Sequence, residues 1–397
     1  MIRNISQNNN GLFRAFDVMR KFQQLVVIVL LLMLRFYGQP ISWHGEFSGW
    51  YGQNDVVSLN HFYGIRYLPT ITVHHALPGE HHIDFEFSLN AFHSGRFQNF
   101  QKYESSQEIK VYRLWSRYST SQFELRIGLQ KINFGSATLF RPLMWFDSLD
   151  PRDPLQITSG VYALLLRYYF LNNANIWLWG LLGNKDLRGW EIHPSLKDQP
   201  EFGGRIQYPM PAGEVALSFH HRKMQLNERL LPIDIFGKQT GIENRFGVDG
   251  KWDLEIGFWL EFTISKQTNH LWPYAWRQVG NIGADYTLKI GNGLNLLAEH
   301  FISEEADKAF TAEKGFSISG VSFSYPIGIM DQLQGIFYYD WKQEDYYRFF
   351  NWRRIYDRLS FFLMLFWNPE TTRTYSSPST VNNFAGKGFQ IMVVFDH

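Results

Sequence analysis

Fixed charges of both signs gather between Gly135 and Ile157, where Arg141, Asp147, Asp150, Arg152 and Asp153 fall close together among prolines and aromatic residues. Opposed guanidinium and carboxylate groups across a narrow aqueous passage set a transverse field that selects polar solutes. On a solvated loop the same residues would only cap Asp-Pro turns and pair with near neighbours, at little energetic consequence. Just upstream, Arg113, Arg117, Glu124, Arg126 and Gln130 have the spacing of side chains that share a face of extended chain. They form either a basic ladder able to guide an anionic solute or a wall in which Arg and Glu on adjacent strands satisfy one another. Spacing leaves both readings open.

Other chemistry has weaker support. The pairs His74-His75, His81-His82 and His220-His221 lie in strand-like segments. Neighbours on a strand point to opposite faces, so the members of a pair do not easily share a metal ion. The run Asp147 to Asp153 clusters oxygens that could take calcium, but Arg152 offsets their charge. There is no Gly-x-Ser-x-Gly elbow, and no Ser and His stand out as nucleophile and base. A dyad on neighbouring strands, which would make the chain a lipid hydrolase, stays open as an alternative. With no cysteine, disulfides, thiolate metal sites and cysteine nucleophiles are excluded. The 38 Lys+Arg and 37 Asp+Glu nearly cancel, so no chain-wide basic field attracts nucleic acid. No cofactor, resident metal or enzymatic role is expected.

The elements that carry these residues are strands with two different faces. Ile83, Phe85, Phe87 and Leu89 alternate with Asp84, Glu86, Ser88 and Asn90, and Phe123, Leu125, Ile127 and Leu129 alternate with Glu124, Arg126, Gly128 and Gln130. The longest case sets Leu254, Ile256, Phe258, Leu260, Phe262 and Ile264 against Glu255, Gly257, Trp259, Glu261, Thr263 and Ser265. Aromatic residues reach 17% while mean hydropathy is −0.26. After Leu34 no apolar stretch approaches the roughly 20 residues of a membrane helix, so any membrane crossing is made by strands.

Connections alternate in length. Tight ones are expected at residues 77–79, 119–121, 171–173, 209–213, 250–253, 291–293 and 326–330, and long ones at 94–106, 134–157, 184–200, 224–241, 267–277 and 304–314. Outer-membrane barrels have short periplasmic turns and long extracellular loops, and a soluble sandwich has no reason to alternate so regularly. With both chain ends periplasmic the strand number is even. Counting Tyr347 to Ile355 and Leu359 to Trp367 as two strands around a turn at Tyr356-Asp357, and Gly388 to Phe395 as the last, gives 18; merging elements gives 16 as the fallback. Residues 368–385 then form the final outer loop. The segment 135–157 is the third outer loop and, by its position and length, the candidate to narrow the lumen.

At the other end, the apolar run Leu25 to Leu34 follows Arg20 and Lys21 and is too short to span a bilayer, as in a signal peptide. Residues 1–40 are assigned to it, with Met19 a natural start and cleavage between Gly38 and Ile41. An uncleaved anchor is the alternative. Removing residues 1–38 takes away five basic side chains and one acidic one, which changes the formal charge from +1 to −3. Residues 41–397 form the barrel, residing in the outer membrane of a Gram-negative cell.

The core Arg126-x-Gly128-x-Gln130-x-Ile132-x-Phe134-Gly135, followed by a Pro- and Asp-bearing loop and another strand up to Phe170, resembles the porin-like barrels of the alginate-export and related putative porin group. The strand ending Phe389, Ile391, Val393, Phe395 also resembles the C-terminal signal of outer-membrane proteins, although Asp396 and His397 follow it. The resemblance implies an 18-stranded pore passing small solutes or polysaccharide. A structural barrel without transport is the further alternative, and the lack of a plug-sized domain before Ser42 argues against an energy-coupled transporter.

Overall fold

The structure, a computed structural model, describes residues 41–56, 60–98, 101–226, 239–268, 272–370 and 383–397. Its elements are β1 (Ile41–Asn54), β2 (Asn60–Leu77), β3 (His81–Gln98), β4 (Gln101–Ser119), β5 (Phe123–Gln130), β6 (Val161–Tyr169), β7 (Asn175–Leu181), β8 (Glu201–Met210) and β9 (Gly213–Gln225). They continue as β10 (Thr240–Asp253), β11 (Gly257–Thr268), β12 (Trp276–Leu288), β13 (Leu294–Ala306), β14 (Lys314–Pro326), β15 (Asp331–Asp340), β16 (Asp345–Ile355), β17 (Leu359–Trp367) and β18 (Lys387–Asp396). Each strand runs antiparallel to its neighbours in chain order, and β1 pairs with β18, from Glu46↔Asp396 to Asn54↔Gly388. The 18 strands are one closed barrel, as the alternation and parity require. Beyond its last strand, the backbones of Gly45 and His397 exchange two hydrogen bonds of 3.0 Å, and the His397 ring stacks on Tyr67. The proposed signal segment, residues 1–40, lies outside the described residues.

Alternation decides which face each residue takes. On β9, Val215, Leu217 and Phe219 turn outward, while Ser218, His220 and Arg222 turn into the lumen and are buried there. Large apolar side chains stay exposed on the outside, with Leu217 64%, Ile206 57% and Phe246 54% accessible. A water-soluble protein would not show such a surface around a closed ring, and lipid is the solvent that suits it. The strands descending to the short-turn rim carry rings near that end, at Tyr118, Tyr168, Tyr208, Trp252, Tyr286 and Tyr325, with Tyr356 following β16. This is the aromatic girdle of a membrane interface. The start of β1 and the end of β18 lie at the same rim, which is the periplasmic one.

Two boundaries differ from the sequence expectation. The strand read from Leu254 begins at Gly257, because Leu254, Glu255 and Ile256 form the periplasmic turn and the preceding strand runs to Asp253. The expected loop 94–106 is mostly strand. β3 and β4 are 18 and 19 residues long, beyond the roughly 9–11 that cross a bilayer, so their outer ends project into water, where residues 104–110 are exposed on both faces. Polar composition there marks solvation and not loss of pairing. Of the expected loops 224–241, 267–277 and 368–385, residues 227–238, 269–271 and 371–382 lie outside the described residues.

Facing can be tested on β11. Phe262 is outward, between the inward Glu261 and Thr263, near the middle of its strand. Phe262→Arg should cost about 2–4 kcal/mol in reversible unfolding of the refolded barrel, and Leu254→Arg on the periplasmic turn about 0–1 kcal/mol. Equal losses would contradict the assigned faces.

Candidate functional site in the lumen

Residues 131–160, between β5 and β6, enter the barrel and cross it. Ile132 and Phe134 pack on the inner faces of β6 and β7, against Val161, Leu165, Trp179 and Leu181. Leu139 and Phe140 then meet Phe301 of β13, Ile318 of β14 and Ile336 of β15. In an 18-stranded ring, β14 lies nine strands from β5, so the loop reaches the opposite wall. Two wall carboxylates fasten it there. Glu299 accepts the backbone N–H of Thr138 (2.6 Å), Leu139 (3.1 Å) and Phe140 (3.0 Å), and the indole N–H of Trp259 (3.1 Å). Glu261 accepts the N–H of Ala137 (2.7 Å) and Leu143 (3.3 Å). Gly135 has φ +92°, and a Cβ there would lie 2.4 Å from a Glu261 oxygen, so the approach needs glycine.

The five loop charges pair close to home. Arg141 contacts Asp147 at 3.1 Å and donates to Asn133, while Arg152 grips Asp150 through Nη2 at 2.7 Å and Nε at 2.9 Å. Asp153 receives the N–H of Leu155 and Ile157. Burial pushes the Asp150 carboxyl up, but Arg152 outweighs it and leaves the pKa below the ordinary value. Burial wins at Asp153, whose pKa is raised despite its two N–H donors. The turn pairing expected of a solvated loop thus occurs on a loop within the lumen, and the two arginines are engaged by their own loop's aspartates. From Asp150 the chain continues along β15 to β18. Leu155 packs against Phe362, Met392 and Val394, and Arg113 of β4 secures the return by donating to the Thr158 carbonyl at 3.0 Å.

Residues 182–200 form a second internal loop, which sequence reasoning noted only for its length. Arg188 reaches Glu191 (3.3 Å) and Glu201 of β8 (2.7 Å), and Arg222 of β9 and Arg245 of β10 both contact Glu191, at 3.1 and 2.8 Å. Glu243 receives both of these wall arginines, at 2.5 and 2.6 Å. Three guanidinium and three carboxylate groups balance in a buried network, which makes their desolvation tolerable only while all remain together. Burial opposes the Arg188 charge, yet Glu191 and Glu201 hold its pKa above the usual value. Burial, reinforced by Arg222, pushes His193 down to about 4, so it is neutral at pH 7. Trp190 joins the loops. Its indole N–H donates to the carbonyls of Phe140 (2.9 Å) and Arg141 (3.1 Å), and its ring stacks on Phe301 at 4.4 Å.

Below the first loop, toward the periplasm, Arg117, Arg126 and Arg167 line the wall of β4 to β6. Arg117 meets Asp84 at 2.7 Å, and Glu124 is shared by Arg117 (3.7 Å), Arg126 (3.1 Å) and Arg167 (3.4 Å). Arg126 also lies over Trp115, and Arg167 over Trp177. Gln130 is buried and donates to the Ala163 carbonyl at 2.9 Å, bracing the start of the loop. Gly128 has φ +121°, and a Cβ would lie 2.1 Å from the Leu114 carbonyl, so the Arg-x-Gly-x-Gln spacing follows a bend that excludes other residues. The contacts are those of the pairing reading: three arginines face the lumen and share two carboxylates. Arg167 was missed, although its alternation with Leu166 and Tyr168 gave the signal. The histidine pairs diverge as expected, with His220 against Glu201 in the lumen and His221 outside against Phe202.

A closed ring of strands with a lipid-facing belt and a charged, loop-crossed interior defines an integral outer-membrane β-barrel. No family model and no curated protein matches the sequence. Solved structures do match in fold. OccAB4 of Acinetobacter baumannii is 8% identical with a TM-score of 0.55, covering 91% of this chain and 99% of that one. OccK5 (OpdH) of Pseudomonas aeruginosa is 11% identical with a TM-score of 0.53, covering 90% and 97%. OmpT, an outer membrane protein of Vibrio cholerae, is 8% identical with a TM-score of 0.50, covering 90% and 99%. At such identities the likeness is one of fold.

Proposed function

We propose that this barrel is an outer-membrane channel for passive passage of small polar solutes, made from a precursor whose residues 1–40 are a cleaved signal peptide. The observation that carries it is the loop 131–160, fastened across the lumen by Glu261 and Glu299. A structural barrel needs no such internal partition, and a lipid hydrolase would place its groups toward lipid. The loop with Arg141, Asp147, Asp150, Arg152 and Asp153 narrows the passage, and Arg113, Arg117, Glu124, Arg126 and Gln130 form its wall. A lumen divided in this way suits small solutes better than a polysaccharide strand. Local pairing alters the role of the loop charges: removing Asp147 and Asp150 would strand buried guanidinium groups and disturb the loop before it changed selectivity. Refolded protein in a planar bilayer should give discrete conductance steps, larger after deletion of residues 143–153. A barrel that stays electrically silent and hydrolyses lipid would overturn the channel reading.

A further inference from the structure

We infer that the barrel holds a binding subsite for a neutral, hydroxyl-rich solute of about monosaccharide size, between the second half of the crossing loop and the wall of β15 to β17. The inference deepens the channel reading by naming a solute class. Register places two polar rows side by side: Gln332 opposite Arg353, and Gln334 opposite Asn351. These face Pro151 to Gln156 of the loop across a cavity of about 100 Å³. A closed cavity of about 150 Å³ takes a benzene-sized molecule, so this smaller space, partly open to the lumen, seats one edge of a sugar ring with two or three of its hydroxyl groups.

The lining chemistry selects among solutes. Arg152 is closed onto Asp150, and Gln332 donates to Ser324 at 2.6 Å. Among the described residues, the buried Oδ1 of Asn351 and Nε of Arg353 meet no hydrogen-bond partner. An unmet buried polar atom is unfavourable, and here one is an acceptor and the other a donor. A hydroxyl group, which donates and accepts, answers both. Beyond the closed Arg152 pair, the lining carries one guanidinium, Arg353, and one carboxylate, Asp153. Their charges cancel, so a net anion meets Asp153 and a net cation meets Arg353, each at a disadvantage against a neutral solute of the same shape.

Calorimetry on the full barrel refolded in detergent, with glucose, gluconate and glucosamine as probes, tests the site without requiring current. Glucose should bind in the millimolar range and at least threefold more tightly than either charged analogue. Gln334→Leu with Asn351→Leu should weaken it at least tenfold in protein that keeps the heat-modifiable mobility of a folded barrel. Asn351→Asp, which preserves volume, should reverse the preference toward glucosamine. No glucose binding, tighter gluconate binding, or undiminished binding in the folded variants would overturn the subsite. Binding with no bilayer conductance would keep the site and remove the channel, so the two failures are distinguishable.

Discussion

Glu299→Ala is expected to release the crossing loop from the far wall and produce the largest functional change of any single substitution in the barrel. Three consecutive backbone N–H groups and the Trp259 indole lose their acceptor at once. Each buried donor left unsatisfied costs about 1–3 kcal/mol, so residues 138–140 would leave the site and seek water. Single-channel conductance should rise with added flicker, and the loop should become cleavable by protease, while the strands keep their heat-modifiable mobility. Glu299→Gln, with similar volume and one acceptor oxygen, should be intermediate. Glu261→Ala should act in the same direction through Ala137 and Leu143, so Glu261 governs loop position before selectivity. Unchanged conductance and full protease protection in Glu261→Ala with Glu299→Ala would refute the anchoring.

A comparable effect is expected at Trp190, from the opposite side. Truncating a fully buried aromatic to alanine typically costs about 3–5 kcal/mol; Trp190 is half-buried and should lose less through packing, but Trp190→Ala would also remove two donor contacts to the bend at Phe140 and Arg141. Both internal loops should loosen, visible as faster proteolysis within 131–160 and 182–200 together. Trp190→Phe keeps a ring on Phe301 and should recover more than half of the protection. Since Glu299 and Trp190 hold the same few residues, their double variant should show a coupling of about 0.5–3 kcal/mol. Strict additivity would mean that the loops are independent.

Strands were legible because lipid outside and a polar lumen inside impose a two-residue period on each one. The count of 18 followed from treating Tyr347 to Ile355 and Leu359 to Trp367 as separate elements, which parity demanded. Leu254 and Ile256 were misplaced for a simple reason: apolar residues in a periplasmic turn continue the alternation without belonging to the strand. The partners of loop charges were beyond a reading of spacing. Arg141 meets Asp147 because the loop reverses at Arg141, where φ is +36°, and nothing in residue type announces that bend. Glu299 was overlooked because its inward neighbours Leu297 and Phe301 are apolar, which blurs the alternation. The second internal loop did leave a trace, in the charges of Arg188, Glu191 and Glu201 around a long connection.

The seam between β1 and β18 has a consequence for how the molecule is made. It joins Glu46–Asn54 to Gly388–Asp396, near opposite ends of the barrel sequence. Contacts so far apart in the chain form slowly, after the local hairpins. Both internal loops precede β11 to β15 in order of synthesis, so they exist before the wall groups that receive the first of them. Once the seam has zipped, the ring has no lateral opening, and the mouth at the outer rim is the way by which either loop can still enter. The C-terminal strand, held by the Gly45 and His397 clasp, is the closing stave of the enclosure.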